Sequence, residues 1–323
     1  MSMRTAARSA AVGLSVILLS GACGRGGEEA TTPGSAGDAG AAADQGAPTL
    51  EELKNASYAG LEDLPQPITL EDGVWEGAPY TADSPVRPRV NFVLDLRATG
   101  DLDADGDDEA AVLLNLATGG TGQFLHVAAV DRVEGALRNI GTAFIGDRVQ
   151  VRAFQIESGR ILIDVVRAGP EDAACCPGET ATLGWEWRPE GGLSAVQVEG
   201  STGRLTLESI AGAGWVLRKW AWEEEAPTEP PVTLRLEKGR FAGSAGCNNY
   251  FTTPQEGEMP GEITVGPIGA TRMSCPEPAM LVEARYLGQL ERVRRYGFLG
   301  TQLALTYGHE GGVGVMLFER QLP

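Results

Sequence analysis

Gly246-Cys247-Asn248-Asn249-Tyr250 and Thr271-Arg272-Met273-Ser274-Cys275 are the two stretches that decide the fold of the C-terminal third of this chain. Gly243, Gly246 and the Asn248-Asn249 pair mark a tight turn, because Gly and Asn tolerate positive φ. The runs on either side, Val232 to Glu237 and Glu262 to Val265, alternate apolar with polar residues, as strands with one buried face do. Ser274-Cys275-Pro276-Glu277 has the Ser-x-x-Glu form of a capping box. Its prolines fall in the first helical turn, where a missing N–H costs least. From there to Tyr296, Met280, Ala284, Leu287, Leu290 and Val293 recur at spacings of three and four. That spacing predicts one amphipathic helix, with Glu283, Arg285, Glu291, Arg292 and Arg294 facing water. Thr301 to Leu305 and Val313 to Arg320 follow as strands.

This order of elements resembles the META domain family, also called HslJ-like after a heat-shock lipoprotein. Besides the two Cys motifs, the matching pieces are Trp215-Val216-Leu217, Glu283-Ala284-Arg285-Tyr286-Leu287 and Leu317-Phe318-Glu319-Arg320. The resemblance covers residues 204–320. The acidic, proline-rich insert from Glu223 to Pro231 departs from it and reads as an exposed loop. The resemblance implies a small α+β envelope domain with one main helix, linked to stress tolerance, and it carries over no catalytic residues. It also implies a Cys247–Cys275 disulfide, since both cysteines sit in the family motifs.

Residues 1–22 have a secretory layout: Arg4 and Arg8, an apolar core from Ala10 to Leu19, then Ser20-Gly21-Ala22. The apolar run is too short to span a bilayer. Cys23 follows directly, and this resembles a bacterial lipobox, which implies acylation (palmitate) of Cys23 and attachment to a membrane through the lipid. Gly24, where Asp would signal retention, favours the outer membrane in a cell that has one. Residues 24–48 contain no Val, Ile, Leu, Met or aromatic residue and cannot bury enough surface to fold. They read as a tether reaching about 25–30 Å as a flexible chain. The expected location is therefore exported and membrane-anchored, facing the periplasm or the cell surface.

The chain has 323 residues and a formal charge of −18. Loss of the two signal-peptide arginines would make that −20. Such an acidic surface argues against a nucleic-acid partner. With Cys23 acylated, Cys175, Cys176, Cys247 and Cys275 remain, an even set for an oxidising compartment. The Cys175-Cys176 pair is open to three readings: a vicinal disulfide, buried thiols or metal ligands. Zinc is disfavoured, because His126 and His309 are the only histidines and lie far apart.

Residues 50–200 read as a β-rich antiparallel domain. Thr49 to Asn55 suggests a short helix. Strand-like runs follow at 90–94, 110–116, 124–130, 148–156, 160–166, 181–187 and 193–198, with Gly turns such as Glu157-Ser158-Gly159 between them. Within this region lies Gly100-Asp101-Leu102-Asp103-Ala104-Asp105-Gly106-Asp107-Asp108-Glu109. Asp101, Asp103 and Asp105 alternate, and Gly106 permits a sharp turn that brings oxygens round one centre. Calcium takes six to eight hard oxygens, and Asp107 and Glu109 could complete much of the shell. Val112 occupies position twelve, so the loop is not an EF-hand. Its strand–loop–strand setting resembles a single FG-GAP-like calcium loop, and a structural Ca²⁺ is the expected cofactor; the alternative reading is a solvated acidic hairpin whose aspartates make Asx-turns.

The function these features suggest is a non-catalytic envelope lipoprotein with a binding or stress-tolerance role toward an unidentified envelope protein or ligand. No Gly-x-Ser-x-Gly elbow is present and histidine is scarce. Two other readings remain: an inhibitor or ligand-binding module using Trp220 and Trp222 as anchors, and a metal-dependent hydrolase at the acidic loop. The commoner role for such tryptophans is core packing.

Overall fold

The computed structural model describes residues 46–321 apart from residues 63, 65, 82, 174 and 201. Cys23, the expected signal peptide and the tether up to residue 45 lie outside the described residues. Among the described residues the architecture is antiparallel β throughout, with one helix of more than a turn. Among the described residues no helix is long and apolar enough to cross a membrane.

The first sheet is a meander of β1 (Val74–Glu76), β2 (Arg89–Gly100), β3 (Glu109–Ala117), β4 (Phe124–Val133) and β5 (Ala136–Asp147), neighbours in chain order. The second runs β9-β8-β7-β6, formed by β6 (Gln150–Glu157), β7 (Arg160–Arg167), β8 (Glu179–Arg188) and β9 (Gly192–Val196). Ala111, Leu113, Val127 and Ala129 of the first sheet share a core with Ile161, Ile163, Val165 and Trp185 of the second. On the other face of the first sheet, Val112, Leu114, Leu116 and Val130 pack against Leu53, Tyr58, Leu61 and Leu70 from the N-terminal segment. Strand β3 is therefore covered on both sides, which is why Ala110 to Leu116 is almost continuously apolar rather than alternating. The short helix, Leu50–Leu53, is capped by Thr49 and Glu52 in a reciprocal capping box.

Two expectations for this half change. Strand β2 runs on past Leu94 to Gly100 through a bulge at Leu94 and Asp95, both at positive φ. Strand β5 was absent from the apolar pattern, because its side chains are mostly half-buried and it is interrupted by Asn139 and Gly141.

The C-terminal part builds a sheet in the order β13-β12-β11-β10-β16-β15-β14 from β10 (Gly214–Ala221), β11 (Thr233–Glu237), β12 (Arg240–Ser244), β13 (Asn249–Thr252), β14 (Val293–Leu299), β15 (Gln302–His309) and β16 (Gly312–Gln321). The pairing of β10 with β16 sets Trp215 opposite Arg320 and so joins the two ends of this part. Trp215 is fully buried and donates from its indole nitrogen to the Ile210 carbonyl at 3.1 Å.

The helix spans Glu277–Leu290, shorter than the spacing predicts. Val293 and Tyr296 continue the helical period, yet they belong to β14, where pairing with Tyr307 and Leu305 satisfies their backbone. The expected cap is also absent: Pro276 is the N-cap and no side chain bonds the first turn. The face differs too. Tyr286 and Leu290 are buried with Val282 and Leu287 packed against the same core, while Met280 and Ala284 are exposed. Tyr286 Oη meets Tyr250 Oη at 2.6 Å, and Tyr250 in turn donates to the Thr233 carbonyl at 3.1 Å. A polar tip on an otherwise apolar ring fixes which helix face turns inward.

The β-rich half meets the C-terminal sheet at β6 and β14. Phe298 N donates to Gln150 Oε1 at 2.8 Å, and Thr301 N donates to the Val151 carbonyl at 3.1 Å. Val166 belongs to the same core as Trp215.

Candidate cation site

The loop between β2 and β3 folds back because Ala104 and Gly106 both take positive φ, at 66° and 98°. Its aspartates then organise the loop backbone. Asp101 Oδ1 accepts from Ala104 N at 2.7 Å, Asp103 Oδ1 from Asp105 N at 3.2 Å and Asp105 Oδ1 from Asp107 N at 2.9 Å. Each is an Asx-type bond that occupies one carboxylate oxygen and leaves the other.

Glu109 opens β3 and is fully buried. Its Oε2 accepts from Leu102 N at 2.6 Å, whereas Oε1 has no hydrogen-bond partner among the described residues. One carboxylate oxygen from each of Asp101, Asp103 and Glu109 lies within 4.8 Å of the others. Burial above all, with the charges of Asp103, Asp131 and Asp105 adding to it, pushes the Glu109 carboxyl up to about 7 against the pull of the Leu102 amide. Burial also raises Asp103, with Asp105 adding repulsion. A buried carboxylate with one oxygen bare, clustered with two more carboxylates, is costly to ionise unless something positive lies among them.

Of the five carboxylates singled out in the sequence, the fold gathers Asp101, Asp103 and Glu109; Asp105 and Asp107 are exposed and outside that cluster. Asp131, on β4, adds to the same negative field. Its sequence distance from the loop hid it, and only the pairing of β3 with β4 brings it near. The donor set is all oxygen and hard, which suits Ca²⁺ rather than a soft metal. The three clustered carboxylates leave room for loop carbonyls and water in a shell of six to eight.

The two Cys motifs form a second organised centre. Cys247 and Cys275 are joined by a disulfide, with Cα atoms 5.9 Å apart. Asn248, 2% exposed, stitches the turn to the second motif. Its Oδ1 accepts from Thr271 Oγ1 and Met273 N, both at 2.7 Å, and its Nδ2 donates to the Met273 carbonyl and to Glu283 Oε1, both at 3.2 Å. Glu283 Oε2 also accepts from Asn248 N at 2.7 Å. Glu283, expected to face water, is therefore the helix's tie to the turn. Asn248, read as a turn former, is a buried linchpin.

Cys175 and Cys176 are not a disulfide: both are free thiols, Cys175 exposed and Cys176 buried. Arg295 Nη1 lies 3.7 Å from Cys176 Sγ. His126 is buried against Phe144, and His309 is on β15, so neither joins the thiols in a cluster of possible metal ligands. The two tryptophans divide. Trp220 is core, with Arg285 over its ring, and Trp222 is 61% exposed.

A sheet of seven main strands closed over one helix, cross-linked from turn to helix entry, defines a small disulfide-bonded α+β domain. Residues 205–321 match the family model of the META domain, and over that stretch the chain carries a META domain. The β-rich half lies outside the match. No curated protein matches the chain. Among solved structures, an NMR structure of a protein from Burkholderia xenovorans is similar at 24% identity, covering 36% of this chain and 86% of that one, with a TM-score of 0.29.

Proposed function

We propose that this chain is a non-catalytic, lipid-anchored envelope protein in which the META domain and a calcium-stiffened β-rich module serve binding in stress tolerance. The anchor rests on the Arg-rich start, the short apolar core and Cys23. The calcium rests on one observation: the bare Oε1 of the fully buried Glu109, beside Asp101 and Asp103. Bound there, Ca²⁺ would take carboxylate oxygens from these three residues and cancel charge that otherwise opposes folding of the β2–β3 loop.

Melting of the full chain with millimolar Ca²⁺ and with EDTA tests this. An ion present at a hundredfold excess over its Kd stabilises by about 2.7 kcal/mol, which is a rise of roughly 4–5 °C for a chain of this size. Glu109→Gln and Asp103→Ala should each abolish that rise. No rise with calcium, or a rise that survives both substitutions, refutes the site. Mass analysis of the exported protein tests the anchor, since an unmodified N-terminus downstream of Cys23 would exclude it.

A further inference from the structure

Strands β14 to β16 pack one face against the helix, through residues such as Leu303 and Leu305. Ala304 and Thr306 alternate to the opposite face. There they line a cleft of about 560 Å³ together with Val313, Val315 and Leu299. Trp222, and Cys175 and Pro177 from the β-rich half, also line it. Trp222 and Val313 are 61% and 72% exposed, so the cleft presents large apolar side chains to water. Its volume is that of a small-molecule site.

On the β14 side the charge beside this cleft is basic, whereas the hollow beyond Pro260 carries Glu171, Asp172 and Glu258. Arg295 lines it and spends its donors on the Pro260 carbonyl at 3.1 Å and on Cys176 Sγ at 3.7 Å. Arg292 and Arg294 line an adjoining hollow that shares His309 with the cleft and carries one carboxylate, Glu310. Among the described residues none of these three arginines has a carboxylate within ion-pair distance, although the chain carries 44 acidic residues to 26 basic ones. Guanidinium groups without a carboxylate partner, one lining the cleft and two in the adjoining hollow, suit a ligand with one anionic head and an apolar body. A polyanion would gain nothing from the apolar side chains of Val313 and Trp222.

We propose that this cleft binds a single-chain anionic amphiphile, a fatty-acid-like carboxylate whose chain lies between Trp222 and Val313 and whose head turns toward the arginines. The site is independent of the acidic loop and of any calcium there.

Titration of the full chain with oleate below its micelle concentration, followed by tryptophan fluorescence, tests the proposal. Saturable one-to-one binding is expected, with oleyl alcohol and dodecyltrimethylammonium at least tenfold weaker. Val313→Glu, at a position exposed enough to leave folding intact, should weaken oleate at least tenfold. Arg295→Met should reduce the preference for oleate over the alcohol. Oleate should also slow alkylation of the exposed Cys175 thiol by iodoacetamide at least fivefold, as read by mass. Absence of saturable binding, equal binding of the alcohol, or unchanged affinity in Val313→Glu overturns the proposal. So does Val313-dependent binding to zwitterionic lipid vesicles, which would make this face a membrane-docking surface.

Discussion

Replacing Asn248 by Ala removes the side chain that joins both Cys motifs to the helix, and the loss can be worked from its bonds. Four hydrogen bonds to oxygen and nitrogen partners disappear: two accepted by Oδ1, from Thr271 Oγ1 and Met273 N, and two donated by Nδ2, to the Met273 carbonyl and Glu283 Oε1, together with a weaker one from Nδ2 to Cys247 Sγ at 3.4 Å. A typical intramolecular hydrogen bond contributes about 1 kcal/mol net, and more when one partner is ionised. Met273 is 56% exposed, so water can reach its freed backbone groups and soften the loss. The expected destabilisation is about 3 kcal/mol, from four bonds of about 1 kcal/mol less some rehydration. Asn248→Asp separates hydrogen bonding from shape. It keeps the acceptor for Thr271 and Met273 N, but turns a second oxygen toward the carboxylate of Glu283 and toward a carbonyl. It should therefore be at least as destabilising as Ala at neutral pH, despite being nearly isosteric. Urea unfolding of the oxidised protein, read by fluorescence and circular dichroism, gives both values. A loss below about 1 kcal/mol in Asn248→Ala, or a smaller loss in Asp than in Ala, would refute the assignment of Asn248 as the linchpin.

Two further outcomes follow from the same geometry. Removing the Cys247–Cys275 disulfide, which closes a loop of sequence separation 28, by the double Cys→Ser change should cost about 3–4 kcal/mol through the unfolded chain's regained entropy, measured by the same unfolding assay; a loss under about 1 kcal/mol would mean the loop is held without it. Asp172, its side chain 4% exposed, bonds Arg204 Nη2, Gly169 N and Gly178 N, each at 2.8 Å, and the Arg204 bond leads in holding its carboxyl down at about 2, below the ordinary 3.8. A folded value below the unfolded one stabilises above the unfolded value and is lost as pH falls through the folded one. Asp172→Asn should therefore lose about 1–2 kcal/mol at pH 7, reduced by solvent around Arg204, with the gap closing as pH drops from about 4 to 2. A gap that does not change with pH would show that the carboxylate's charge is not what matters.

The sequence carried the C-terminal fold because its signals are local. Turn glycines and asparagines, paired cysteines and alternating strands leave marks within a few residues of one another. The helix end was not local. Leu290, Val293 and Tyr296 keep a helical period, and the change to strand at Val293 is made by β15, which supplies hydrogen-bond partners the sequence does not display. The inward face was likewise set by Tyr286 finding Tyr250 across the core, not by the more apolar Met280.

The acidic loop divides in the same way. The sequence by itself determined that hard oxygen ligands crowd the turn between two strands, because their alternation and Gly106 are written side by side. Tertiary structure decided which of them matter. Doubly covered β3 buries Glu109 and strips one of its oxygens of partners, β4 brings up Asp131, and Asp105 and Asp107 are left to water. The apolar cleft with its arginines was legible in no single stretch, since Cys175, Trp222, Arg295 and Val313 come together only where sheets from both halves meet. Local chemistry follows from neighbours in the chain; burial and net field follow from neighbours in space, and these the fold alone supplies.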